Sequence, residues 1–140
     1  MVATIDEITK LFRKYNAAIF NNELPLPQFQ LLKSFRICGR FSCKKPIGKR
    51  RLKGQRIEIS CYYEWQEEEL VNVLLHEMLH YYLAYKHLDN NITHGELFID
   101  YAKTINEKYN CRITEKIDCS KFKRTKNAPW LSWALAHMFG

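Results

Sequence analysis

The chain has 140 residues, 46% of them apolar and 26% charged, and a formal net charge of +7. That length allows one domain with a real core and is short for two, and the composition excludes a disordered chain. No apolar run approaches the ~20 residues of a bilayer span, and the opening MVATIDEITK lacks the layout of a secretory signal, so a cytoplasmic protein without a membrane partner is expected.

Taken in chain order, Thr4-Ile5-Asp6-Glu7 fits a capping box. From there Ile5, Ile8, Leu11/Phe12, Tyr15 and Ile19 recur at helical spacing, predicting a helix to about Phe20 that ends at Asn21-Asn22 and the prolines beyond. QFQLLKSF, RICGRFSC and QRIEIS follow, β-prone and broken by Gly39, Pro46, Gly48 and Gly54, and predict three strands. EWQEEELVNVLLHEMLHYYLAYKH reads as one long helix, acidic at its start and basic at its end, as the helix dipole favours. DNNIT reads as a turn. Thr93-His94-Gly95-Glu96 fits a second capping box, opening a helix with Phe98, Tyr101/Ala102, Ile105 and Tyr109 inward. Beyond residue 115 the pattern is ambiguous: CRITEKID suits a strand, and APWLSWALAHMFG suits a short amphipathic helix carrying Trp130, Trp133 and His137. The expected architecture is one α+β domain over residues 1–140, with an N-terminal helix, a small three-stranded sheet, the long helix and a following helix.

Five cysteines at irregular spacing, with no CxxC, argue against a disulfide framework and a zinc ribbon, so free thiols are expected. The charge is unevenly placed. Between Glu23 and Glu58 stand ten bases and no acid, and their densest part, KKPIGKRRLKGQR, holds Lys44, Lys45, Lys49, Arg50, Arg51 and Lys53. After Asp118 come only bases, Lys121, Lys123, Arg124 and Lys126. One-signed tracts suit a polyanion because neutralising phosphates releases counterions, so residues 33–56 and 121–126 are candidate DNA contacts.

The sharpest motif is LLHEMLH. On a helix, positions i and i+4 share one face about 6 Å apart, so His76 and His80 can point at one cation. Glu77, one residue round, can reach a water on the metal without ligating it. A match to this spacing arises by chance in about 1% of chains of this composition. A third ligand is required. His87 lies about 10 Å further along the axis, too far to help. The metzincin pattern would need Gly at 83 and His at 86, where this chain has Leu83 and Lys86. His94 and Glu96 remain, and His94 is favoured because a capping box would engage Glu96 with the backbone. His-rich ligation on a helix favours Zn2+.

LLHEMLH followed by HGELF, together with YNAAIFNNELPLPQFQ and CGRF, resembles the SprT-like (Spartan-type) metalloproteases over roughly residues 5–115. The resemblance implies a zincin-like fold, zinc held by His76, His80 and His94, Glu77 as general acid/base, and cleavage of proteins attached to DNA. This chain departs from members that end in a cysteine-rich zinc ribbon, since Cys111 and Cys119 lack CxxC partners. The expected function is therefore a zinc metalloendopeptidase acting on a protein substrate, with the peptide paired along an exposed sheet edge at residues 55–60. Two rivals share the ligands: a nucleic-acid-binding module with a structural zinc, and a metal-dependent nuclease. An open fourth position argues against the first, and the glutamate beside the first histidine against the second.

Overall fold

In a computed structural model of the chain, which describes residues 1–48, 51–88, 95–126 and 128–129, Thr4 opens helix α1 (Ile5–Ile19) by accepting the Glu7 N–H on its hydroxyl. Ile8, Leu11 and Phe12 bury one face of the helix. Asn21 and Asn22 then take left-handed φ values of 54° and 58°, a conformation asparagine tolerates better than most residues, and the helix stops. The buried Asn16 amide fixes the way out: its Nδ2 donates to the Leu24 carbonyl at 2.9 Å and its Oδ1 accepts the Leu24 N–H at 3.2 Å.

The three expected strands form: β1 (Gln28–Leu32), β2 (Gly39–Lys44) and β3 (Lys53–Ser60). Their order is β1-β3-β2, with β1 parallel and β2 antiparallel to β3. Residues 55–60 therefore lie on the central strand, not on an exposed edge. Alternation in RIEIS gives a buried face but says nothing of which neighbours a strand acquires. Phe29 and Phe41 stand in register with Ile57, and Leu31 and Gly39 with Ile59, so one face is apolar. On the other, Glu58 is buried beneath Arg40 and Arg56, which pair with it at 3.0 and 3.4 Å.

Helix α2 (Glu67–Tyr85) crosses the apolar face beside α1. The Glu69 carboxylate accepts the Gln66 N–H at 3.0 Å, and Glu67, Glu68 and Glu69 crowd the first turn, where the dipole favours anions. Leu70, Leu74, Leu75, Met78, Leu79 and Tyr81 are all buried, so the helix is covered on more than one side. The Tyr81 ring stacks on Phe41 at 5.1 Å and packs near Phe12 at 6.4 Å, which ties strand, α1 and α2 together. Lys86 follows the last turn and pairs with Glu23, and His87, at a left-handed φ of 56°, turns the chain away.

The cover on the other side of α2 is helix α3 (Glu96–Tyr109), which buries Phe98, Ala102 and Ile105. Its N-cap is Gly95, with no side-chain cap, so the Thr93–Glu96 box does not open this helix; Thr93 and the DNNIT turn lie outside the described residues. Residues 111–118, where CRITEKID suggests a strand, form none. A second small sheet, absent from the sequence expectation, pairs β4 (Tyr63–Glu64) with β5 (Lys123–Arg124), just after a single 3-10 turn at Cys119–Lys121. Phe122 packs against Tyr63 and Trp65 at 5.6 and 4.7 Å. Cys38 and Cys119, 81 residues apart, are joined in a disulfide, which corrects the expectation of free thiols throughout. Spacing along a chain carries no information on so distant a pairing. Trp130, Trp133 and His137 fall outside the described residues. No described helix is long and apolar enough to cross a membrane.

Candidate metal centre

His76, Glu77 and His80 lie in the middle of α2, where helical spacing brings all three to one spot. Their ligand atoms fall within 4.8 Å of one another, a group able to hold a metal ion. The two imidazoles face each other with Nε2 atoms 3.2 Å apart and ring planes at 71°. His76 Nδ1 lies 2.7 Å from the Thr114 carbonyl oxygen. A carbonyl accepts only, so the His76 proton belongs on Nδ1 and Nε2 presents its lone pair to the cluster. His76 and Glu77 are buried and His80 is half-buried.

Two neighbours shape the cluster. Phe98, the second residue after Glu96 in α3, stacks on His80 with centroids 4.5 Å apart and 28° between planes, and lies 5.0 Å from His76. Gly39, the first residue of β2, sets how closely the strand meets the helix. A β-carbon there would stand 2.8 Å from Val73 Cγ1 and 3.3 Å from Glu77 Cγ. Only a glycine lets β2 approach the Glu77 turn this closely.

The Glu77 carboxyl is only 4% exposed, and its Oε2 has no hydrogen-bond partner among the described residues. Burial pushes its pKa from 4.5 to about 8. An unmatched buried oxygen costs ~1–3 kcal/mol, and groups held at such a cost cluster at functional sites. Two closely set imidazoles, one with its lone pair toward the cluster, and a buried carboxyl with one oxygen unmatched among the described residues fit a divalent cation well.

Of the other expected site residues, His94 lies outside the described residues. Glu96 is exposed and is not one of the three clustered residues; with Gly95 as N-cap, the capping argument that set Glu96 aside no longer applies. His87 stands exposed beyond the helix end. Lys44 and Lys53 face each other at the far end of the β2–β3 ladder, with Arg51 exposed beside them, while Lys49 and Arg50 lie outside the described residues. Lys45 follows β2 and is exposed. Arg40 and Arg56 of the same tract are engaged with Glu58. In the second tract, Arg124 donates to the Thr125 and Ala128 carbonyls. Among the nearby tyrosines, Tyr81 donates to the Pro25 carbonyl at 2.7 Å and Tyr82 packs on Phe20 and Tyr101, so both serve the core.

The sequence reading missed Thr114 and the packing roles of Gly39 and Phe98. The last two sit in CGRF and HGELF, so a signal existed; a backbone carbonyl leaves none.

A small α+β protein with three described helices, a mixed sheet and a buried His-Glu-His group at the helix centre fits the metallopeptidase class. Residues 8–117 match the model of the SprT-like family, and the chain belongs to that family. No curated protein matches it.

Proposed function

We propose that this chain is a zinc-dependent metalloendopeptidase with a zincin-like arrangement. In this reading His76, His80 and His94 hold the ion, Glu77 is the general base and acid, and the substrates are proteins bound or crosslinked to DNA. The observation that carries it is the buried Glu77 carboxyl, with one oxygen unmatched among the described residues, beside two closely set imidazoles. The place of Phe98 against both rings supports a third ligand from the residues just ahead of α3. The basic tracts support the DNA-associated substrate.

Zinc bound there would lower the pKa of a water to ~7 and polarise a peptide carbonyl. Glu77 would accept the proton that the attacking water gives up and pass it to the leaving amine. The His76 proton, held on Nδ1 by Thr114, stays clear of the cluster. A peptide is placed in extended form along β2, an edge strand that begins beside Glu77.

The test is cleavage of an unfolded protein by the zinc-loaded chain, with and without single-stranded DNA, next to Glu77→Gln and a labelled DNA alone. Glu77→Gln is expected to keep its zinc and lose ~10²–10⁴-fold in rate. Undiminished proteolysis by that variant would overturn the reading, and cutting of the labelled DNA would favour a nuclease.

A further inference from the structure

The His76 imidazole ends a chain of hydrogen bonds that begins on another helix. Helix α3 stops at Asn110, whose left-handed φ of 55° turns the chain back. Residues 111–114 then pass α2 without joining a sheet. Such a segment must find partners for its backbone groups elsewhere. Two asparagines supply them. Asn72 Oδ1, one turn before His76, accepts the Arg112 N–H at 3.3 Å. Asn106 does more: its Oδ1 accepts the Ile113 N–H at 2.8 Å and its Nδ2 donates to the Ile113 carbonyl at 2.9 Å. One amide thus stands in for a neighbouring strand. The next carbonyl along, that of the exposed Thr114, is the one that accepts from His76 Nδ1.

We infer that Asn106 is a positioning residue of the metal centre, holding Ile113 by both backbone groups so that the Thr114 carbonyl fixes the tautomer and plane of His76. The inference rests on the reading of His76 as a ligand. Only an amide side chain offers donor and acceptor together at this reach, so aspartate keeps half the clamp and alanine none of it. The partner of a ligating imidazole's other nitrogen sets its orientation and basicity, and losing such a partner weakens metal binding roughly 10–100-fold.

The competing account is that Asn106 merely stabilises the fold. The protein contains its own control, because Asn16 makes the same two-bond clamp on Leu24 without touching the cluster. Zinc affinity is measured for the full chain and for Asn106→Ala, Asn106→Asp and Asn16→Ala by competition with a chromophoric chelator, well below each melting temperature. The His76 ring nitrogens are followed by ¹⁵N NMR in metal-free protein.

Asn106→Ala and Asn16→Ala should lose similar thermal stability. Only Asn106→Ala should bind zinc roughly 10–100-fold more weakly and convert His76 from the Nδ1–H form to a tautomer mixture, with Asn106→Asp in between. If Asn106→Ala does not fold, Asn106→Asp carries the test with the same readouts. Zinc affinity and His76 resonances that match those of Asn16→Ala, or an Asn106→Asp indistinguishable from wild type, would overturn the inference. Failure of the wild type to take up zinc would instead defeat the metal reading, while the metal-free NMR comparison still decides the role of Asn106.

Discussion

At Glu77, burial and chemistry pull in opposite directions. A carboxyl whose pKa rises from 4.5 to about 8 keeps its proton in the folded, metal-free chain when the unfolded chain has already lost it. Below pH 4.5 both forms are protonated and no penalty exists. As pH climbs from 4.5 to 8 the unfolded state gains, so the metal-free protein loses stability, and the loss levels off above 8. At ~1.4 kcal/mol per pKa unit this is of the order of a few kcal/mol. Glu77→Gln removes the titration, so in chelator-stripped protein it should melt higher than wild type at pH 8, with the gap closing toward pH 4.5. Melting curves across that range check it; a gap independent of pH would mean the carboxyl is not the source. Gly39 offers a second test at this scale. A methyl there meets Val73, a buried β-branched side chain with little freedom in a helix. Gly39→Ala should cost ~1–3 kcal/mol and lower turnover by moving the strand against Glu77. Adding Val73→Ala should recover part of the stability, and a double-mutant cycle by chemical denaturation reads the coupling; strict additivity would show that the two positions do not collide.

Among the elements, helix α3 does the most to shape the site. Its Phe98 is the surface on which both imidazoles rest, so shape as well as burial matters there. Phe98→Leu keeps an apolar side chain of fair size and should cost less than the ~3–5 kcal/mol of a buried Phe→Ala change, yet it removes the flat face against His80. Zinc affinity should fall about tenfold, the low end for groups that orient metal ligands; calorimetric binding with unchanged affinity would assign Phe98 to the core alone. The elements also mark what was legible in advance. Helices with caps and periodic apolar faces, α1 and α2, stand where the sequence put them, as do the three strands, because local chemistry dictates them. The order β1-β3-β2, the β4–β5 pair, the Cys38–Cys119 link and the Asn106 clamp depend on partners distant in sequence, and no local pattern encodes those. In the site, spacing along one helix was enough for His76, Glu77 and His80, whereas the residues that orient them came from three other segments.

Along strand β2, the lysine-bearing end and the end beside Glu77 lie apart. Gly39 at one end of β2 lies against Glu77, and Lys44 at the other end faces Lys53. Five residues of strand put these about 17 Å apart. Glu58 offsets Arg40 and Arg56 from below, while Lys44, Arg51 and Lys53 stand at the far end of the β2–β3 ladder. A nucleic acid held there would lie within reach of the same chain that enters the site but not in it, which suits a substrate protein carried on DNA. Under the proposed function, charge at that end would act on encounter and retention, and its effect would be screened by salt. Lys44→Ala combined with Lys53→Ala should weaken single-stranded DNA binding at all sequences alike and flatten the slope of log affinity against log salt by about 0.7 for each phosphate no longer neutralised. Cleavage of a DNA-bound protein should fall accordingly, more than that of a free peptide. Fluorescence anisotropy over a salt series, run beside the cleavage assay, measures both. An unchanged slope would move the polyanion-binding surface away from the hairpin, and a slope change with no effect on cleavage of the DNA-bound substrate would separate DNA binding from the hydrolytic role.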